Sequence, residues 1–408
     1  MNRTLSIALV LVPVLAAIFC PPAYAQSDRL HVYGYFATRF EKTYNEPRLD
    51  NGDIVEETPV GEWNHPSLNI MMQHQLDKKF RVFLNLNGAG GGEIDLRNFW
   101  GEYSASRYVN VRLGKIYRKF GLYNELLDAV PTYYGIEPPE LFDSDHLIVS
   151  RTTTLMLHGS TDLHTGVLNY AISTDNGEGD AFKNALPMAY DLRYRTSTGL
   201  LTVGTSGYSS FGSANSDVAL GEGSPKSGVL PWMAKDDFWV LGGCAELNHK
   251  GWTVQTEYWH ASHDAERDPE ATYEMIGSGS PSAAQIQRFT AVSGMPSKAE
   301  DINPDGDYQV DTWYVRTGYS IDSRMGEFGP YMQYDYYSNP ETIAEKTYGG
   351  DNEAGASDDG KFQKWTLGLL FRPIPQVALK LDGSRHNYKL GNRTVGYPEI
   401  RFDVSYIF

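Results

Sequence analysis

The sequence predicts an all-β fold, a transmembrane antiparallel up-and-down barrel of about sixteen strands, on three observations. Segments of about nine to twelve residues with apolar side chains at every second position recur along the chain, their connections alternate between short and long, and an export signal precedes them. A tilted strand needs roughly ten residues to cross a bilayer, and period-two alternation gives it one lipid face and one water face. No later stretch holds ~20 apolar residues, so strands and not helices are expected to do the crossing.

Residues 1–25 read as a signal peptide. Arg3 gives a short basic start, 5–19 is almost unbroken apolar sequence, and Ala23-Tyr24-Ala25 supplies the small residues that a signal peptidase requires, leaving 26–408 as the barrel. Cys20 follows the bulky Phe19, which disfavours a lipoprotein signal. Cys244 is the other cysteine, so the mature chain has no internal disulfide and must gain stability otherwise, as a closed sheet does. A formal charge of -16 argues against nucleic acid as a partner. Aromatic residues at 13% and 40 glycines suit interfacial girdles and tight turns.

In chain order the expected strands are 30–40, 67–76, 80–88, 96–103, 109–116, 151–159, 164–173, 188–196, 200–208, 237–248, 252–262, 309–321, 328–337, 362–372, 376–387 and 399–408. The first strand runs into a long connection, 41–66, and the second turns through Asp77-Lys78-Lys79 into the third. Long connections follow at 89–95, 117–150, 174–187, 209–236, 263–308, 338–361 and 388–398. Between them lie short ones, such as Ser197-Thr198-Gly199, His249-Lys250-Gly251 and Pro373-Ile374-Pro375. Short turns on one side and long loops on the other are what a membrane barrel shows, whereas a soluble sandwich has no reason to keep that alternation. The last strand is apolar at Ile400, Phe402, Val404, Tyr406 and Phe408, with Arg401, Asp403 and Ser405 between them, and it is expected to pair with the first strand to remove the sheet's edges.

The strand piece Val111-Arg112-Leu113-Gly114-Lys115 leads into a long third loop, which carries Pro139-Glu140-Leu141-Phe142-Asp143. In these residues, and in the order and length of its elements, the chain resembles Gram-negative outer-membrane porins of the sixteen-stranded kind, general or phosphate-selective. The resemblance implies a cell outer-membrane location, a water-filled channel for passive diffusion of small hydrophilic solutes and ions, and a homotrimer embedded in lipid and lipopolysaccharide. It also implies a third loop, 117–150, folded into the lumen as the constriction.

That loop is net acidic, with Glu125, Asp128, Glu137, Glu140, Asp143 and Asp145 against Arg118 and Lys119. Facing the apolar side of strands one, three and five to lipid sends Arg39, Arg81 and Arg112 inward. Acids opposite arginines would set a transverse field across the pore. Further inward candidates, Arg193, Arg195, Glu246, Glu257, Arg316, Asp335, Lys364 and Arg401, mix both signs and leave ion preference open. The loop aromatics Tyr117, Phe120, Tyr123, Tyr133, Tyr134 and Phe142 would either pack the loop on the wall or form a stacking track for a sugar or aromatic solute.

The alternatives to a general channel are a substrate-selective one, for sugar, oligopeptide or anion, and a plugged barrel serving as a surface scaffold or adhesin. Asp301, Asn303, Asp305 and Asp307, with Gly306, match the first half of a calcium loop, although Thr312 stands where its bidentate Glu belongs. A structural Ca2+ there would stiffen the loop, and no other cofactor is expected. His158, His164, His260 and His263 lack a serine-centred motif, so an enzyme is not expected.

Overall fold

In the computed structural model, residues 30–408 are described apart from 51–52, 65, 89–91, 93, 127–129, 141–146, 148–150, 178–185, 212–227, 280, 344–352 and 392. The expected signal peptide, 1–25, lies outside the described residues. Among those described, sixteen long strands form one antiparallel sheet. They are β1 (Leu30–Thr43), β2 (Ser67–Gln75), β3 (Phe80–Gly88), β4 (Ile94–Ser104), β5 (Asn110–Tyr117), β6 (Arg151–Leu163), β7 (Gly166–Asp175) and β8 (Met188–Thr196). The second half comprises β9 (Leu201–Ser209), β10 (Met233–His249), β11 (Trp252–Arg267), β12 (Tyr308–Tyr319), β13 (Gly326–Ser338), β14 (Lys361–Ile374), β15 (Val377–Leu390) and β16 (Arg393–Ile407). Each pairs with its sequence neighbours, and β1 pairs with β16 in a register that runs from Tyr35 opposite Ile407 to Thr43 opposite Glu399. The sheet is therefore closed.

Alternation decides which side chains face where. Val32, Phe36, Phe99, Leu113, Ile172, Leu241, Leu367 and Ile400 are exposed on the outside, while Asp191, Glu257, Arg316, Lys364, Lys380 and Asp403 are buried inside. Leaving such a continuous apolar surface in water would cost about 25 cal/mol per Å2, so this exterior belongs in lipid. No helix among the described residues is long and apolar enough to cross a membrane, and the strands do the crossing.

The closing hairpin differs from expectation. The sequence suggests a long loop at 388–398, but β15 and β16 run on to a tight turn around Gly391, whose φ of 57° suits glycine. Tyr388, Leu390, Val395 and Tyr397 continue the inward face there and pack on an apolar cluster at the long-loop end. Pro398 suggests a break, yet its carbonyl accepts a hydrogen bond from the Tyr44 N–H.

That cluster ties the long connections together. The sixth loop folds into α1 (Pro269–Ser278), capped by Asp268, and α2 (Ala283–Phe289), capped by Ser282 and Gln285 in a reciprocal pair. Met275, Ile276, Phe289 and Ile302 pack with Val229, Trp232, Ile343 and Ala354 of neighbouring loops. The buried pair Arg267 to Glu341 fastens this cap to the end of β11.

Arg267 also reaches into the segment of the expected calcium loop. Its Nη1 donates to the carbonyls of Asn303, at 2.9 Å, and Asp305, so a guanidinium already occupies the cationic position. The Asp301 carboxylate takes the Ser297 N–H and hydroxyl, and the Asp307 carboxylate takes the Ala265 N–H. Among the described residues no three His, Cys, Asp or Glu side chains form a metal-holding group. Chelation should leave proteolysis of the sixth loop unchanged. Arg267→Met should accelerate it, since it strands the buried Glu341 at a cost of about 3–5 kcal/mol.

Candidate functional site

The inner wall and the third loop form the site together. The loop begins at Arg118, whose Nε and Nη2 grip Asp175 of β7 at 2.7 and 2.9 Å while its guanidinium lies 4.4 Å from the Tyr208 ring. Arg118 is 1% exposed on its side chain, so it anchors the loop and presents no charge to solvent. Gly121 then passes close to the wall at φ 64°, donating its N–H to Ser206, and Phe120 lies against Trp259 with ring centroids 3.9 Å apart. Glu125 joins the wall through Arg193 at 2.9 Å and meets Lys119 at 3.7 Å. Burial alone would raise the Glu125 pKa, but Lys119 and Arg193 outweigh it and hold the carboxyl below its ordinary value.

Residues 131–140 continue across β12 to β16 and β1. Arg372 donates to the carbonyls of Pro131 and Thr132, Lys380 donates to that of Gly135 at 2.7 Å, and the Ile136 N–H donates to Asp382. The Tyr134 ring lies over two glycines, where a Cβ on Gly318 would come within 2.6 Å of it and one on Gly329 within 2.7 Å. Gly318→Val should therefore lower the denaturant midpoint, at a cost of about 1–3 kcal/mol from overpacking.

Glu137 is the centre of this contact. Its carboxylate lies 3.4 Å from Arg39 on β1, 3.2 Å from Lys364 on β14 and 2.6 Å from Arg401 on β16. Burial would raise its pKa, but these three cations bring it down to about 2. Lys364 also bonds Glu140, whose N–H donates to Asp335.

The described loop acids Glu125, Glu137 and Glu140 therefore do not stand across a gap from the wall cations. Glu137 touches Arg39 directly, and the described acids Glu125, Glu137 and Glu140 are all turned toward wall cations. Asp128, Asp143 and Asp145 lie outside the described residues, as does Phe142 of the aromatic set. Phe120, Tyr123 and Tyr133 are buried in the apolar cluster, which makes them packing residues rather than a stacking track.

Arg81 and Arg112 form a second, separate patch. They sit on β3 and β5 directly opposite Glu102 of the intervening β4, so register alone builds a row of positive, negative and positive side chains. Arg81 reaches Glu102 at 2.5 Å, Arg112 reaches it at 2.6 Å, and His158 meets it at 3.0 Å. Both guanidiniums lie over the Trp100 ring, whose plane stacks on Phe83. A single carboxylate cannot use all ten N–H donors of two guanidiniums, so the patch keeps positive charge and free donors.

Arg81, Glu102 and His158 of this patch line a polar cavity of about 430 Å3 at the short-turn end, together with Lys78, Arg107, Lys119, Asn110 and Asn169, while Arg112 stands behind Glu102. Four lysine or arginine side chains against Glu102 make its wall cationic, although the chain as a whole is acidic. Glu102 was not singled out from the sequence, and His158 was noted only as a histidine without a catalytic motif, although Glu102 lies on the expected fourth strand. Of the other histidines singled out, His263 is buried and bonds Asp236 between the rings of Phe238 and Tyr308, His260 is half-buried and meets Asp311, and His164 is exposed.

Solved structures share this architecture at low sequence identity. The outer membrane channel DcaP of Acinetobacter baumannii superposes with a TM-score of 0.54 at 11% identity, over 93% of this chain and 97% of that one. The fold is that of the outer-membrane porins. An anion-selective porin from Comamonas acidovorans gives 0.53 at 11% identity over 93% and 99%, and Salmonella typhi OmpF in complex with daunomycin gives 0.51 at 13% over 93% and 97%. No family model matches the chain, and no curated protein matches its sequence. The porin fold thus rests on backbone architecture, and the closed sheet with its apolar exterior makes this an outer-membrane-type β-barrel.

Proposed function

We propose that the chain is an outer-membrane porin, a water-filled channel for small hydrophilic solutes in which the third loop narrows the lumen on one side and the Arg81–Arg112 patch favours anions on the other. The observation that carries this reading is the cationic cavity at the short-turn end, walled by polar side chains of β2 to β7. Such a wall raises the local concentration of anions and lowers that of cations by its potential alone. The loop clamp supports the constriction, because it holds residues 131–140 against the wall and leaves the β2 to β7 side as the open one. Outward aromatics around β16 and β1, Phe36 stacked on Tyr406 and Phe402 edge-on to Trp63 of the first long connection, offer a surface on which copies can associate as a trimer.

Single-channel recording in planar bilayers tests the channel. Stepwise current with an anion-favouring reversal potential in a salt gradient is expected, and absence of any open-channel current would sink the proposal. The second reading, a plugged barrel serving at the cell surface, draws on the apolar cap that binds the fifth, sixth and seventh loops together. The same recording separates the two, since a plugged barrel passes no current.

A further inference from the structure

His158 is set into the wall of the cationic cavity, in contact with the acid at its centre. It sits on β6 opposite Asn110 of β5 and Ala171 of β7, and its side chain is 15% exposed at the cavity surface. Its Nε2 lies 3.0 Å from Oε2 of Glu102 on β4. A carboxylate only accepts hydrogen bonds, so Nε2 carries the hydrogen and a further proton enters at Nδ1. Histidine is the side chain whose ordinary change of charge falls between pH 5 and 8.

The charged groups around the ring come from every neighbouring element. Glu102 is held by Arg81 of β3 at 2.5 Å and by Arg112 of β5 at 2.6 Å. Lys119 of the third loop, and Lys78 and Arg107 of two short turns, line the same cavity, and Arg107 is paired with Asp162 at 2.6 Å. The neighbours on β7, Ala171 and Asn169, do not titrate. Among the described residues Glu102 is therefore the acid that the ring meets. Arg112 Nε and His158 Nε2 both use its Oε2. A charged ring strengthens its own bond to that oxygen and competes with the guanidinium for it, so more of the Arg112 donors turn to solutes while the wall gains one unit of positive charge.

We infer that His158 is a specificity-determining residue of the channel, a proton-operated charge that strengthens the anion preference of the cavity as pH falls from 8 to 5. This rests on the anion-patch reading of the same cavity and gives that patch a regulator. The Glu137 clamp keeps its charge above pH 4.5, so the third loop stays held over the whole range and leaves the change to the patch.

Reversal potentials across planar bilayers, in a fixed potassium chloride gradient at pH 8, 7, 6 and 5, test the switch on the intact barrel. The chloride-to-potassium permeability ratio of the wild type should rise roughly two- to threefold over that range, the Boltzmann factor of one unit charge at about 7 Å in water. The rise should shrink in concentrated salt, where the Debye length is about 3 Å at 1 M. H158Q should keep the pH 8 ratio throughout, and H158K the pH 5 ratio. H260Q alters a histidine on the outward face, opposite Leu241 and Asp311, and should follow the wild type. Heat-modifiable gel mobility reports the folding of each variant, and either His158 variant alone suffices to decide. A rise in H158Q or H158K equal to that of the wild type would overturn the inference. An anion-favouring wild-type ratio that stayed constant with pH would overturn it too and leave the anion reading standing. A cation-favouring ratio at every pH would remove both, and absence of current would remove the channel with them.

Discussion

Replacing Glu137 by Gln should release the third loop and raise single-channel conductance and its noise. Its carboxylate is the shared partner of Arg39, Lys364 and Arg401, which come from β1, β14 and β16. Removing one charge from such a buried cluster leaves the others uncompensated and costs about 3–5 kcal/mol. At about 1.4 kcal/mol per factor of ten, the released loop becomes at least a hundredfold more populated. The pH dependence has a definite sign. The clamped Glu137 has a pKa of about 2 against an ordinary 4.5, so the released loop binds the proton more readily. The clamp is then fully present above pH 4.5 and is lost progressively as pH falls from 4.5 toward 2. Recordings of the wild type should be steady at pH 7 and 5 and should approach those of E137Q as pH nears 2. A variant indistinguishable from wild type at neutral pH would show that the loop is held by its other contacts.

The barrel was legible in the sequence because period-two alternation is a local signal, repeated sixteen times and punctuated by turns. Strands such as Phe80–Gly88 and Met188–Thr196 have the bounds that alternation predicts, since polar turns end them on both sides. The 388–398 segment misled because a proline and a glycine suggest a loop, while the packing of Tyr397 and Leu390 on the cap that extends the hairpin involves residues distant in sequence. The site was legible in part, and for the same reason. Inward parity finds Arg39, Arg81, Arg112, Lys364 and Arg401, but partner choice needs register, which alternation does not give. Arg81 and Arg112 flank Glu102 only because β3, β4 and β5 align those positions. Arg39, by contrast, meets Glu137 through a loop contact between residues 98 positions apart, which no local pattern specifies.

That division gives the other large prediction, on selectivity. If the open side is the β2 to β7 wall, neutralising Arg81 and Arg112 together should remove the anion preference. The cavity wall would keep Lys78, Arg107 and Lys119 at its rim but would hold an uncompensated Glu102 at its centre. The reversal potential should cross zero toward cations, and the shift should shrink at high salt as the Debye length falls to about 3 Å at 1 M. Glu102→Gln should move the reversal potential the opposite way, because it leaves both guanidiniums unopposed. Arg39→Gln is the informative control. Its guanidinium bonds the Ile136 carbonyl at 2.8 Å and Glu137, so its loss should loosen the loop and change conductance while leaving the reversal potential near that of wild type. If R39Q shifted selectivity as much as R81Q/R112Q did, the three arginines would act as one wall across the pore, and the separation of clamp from anion patch would be wrong.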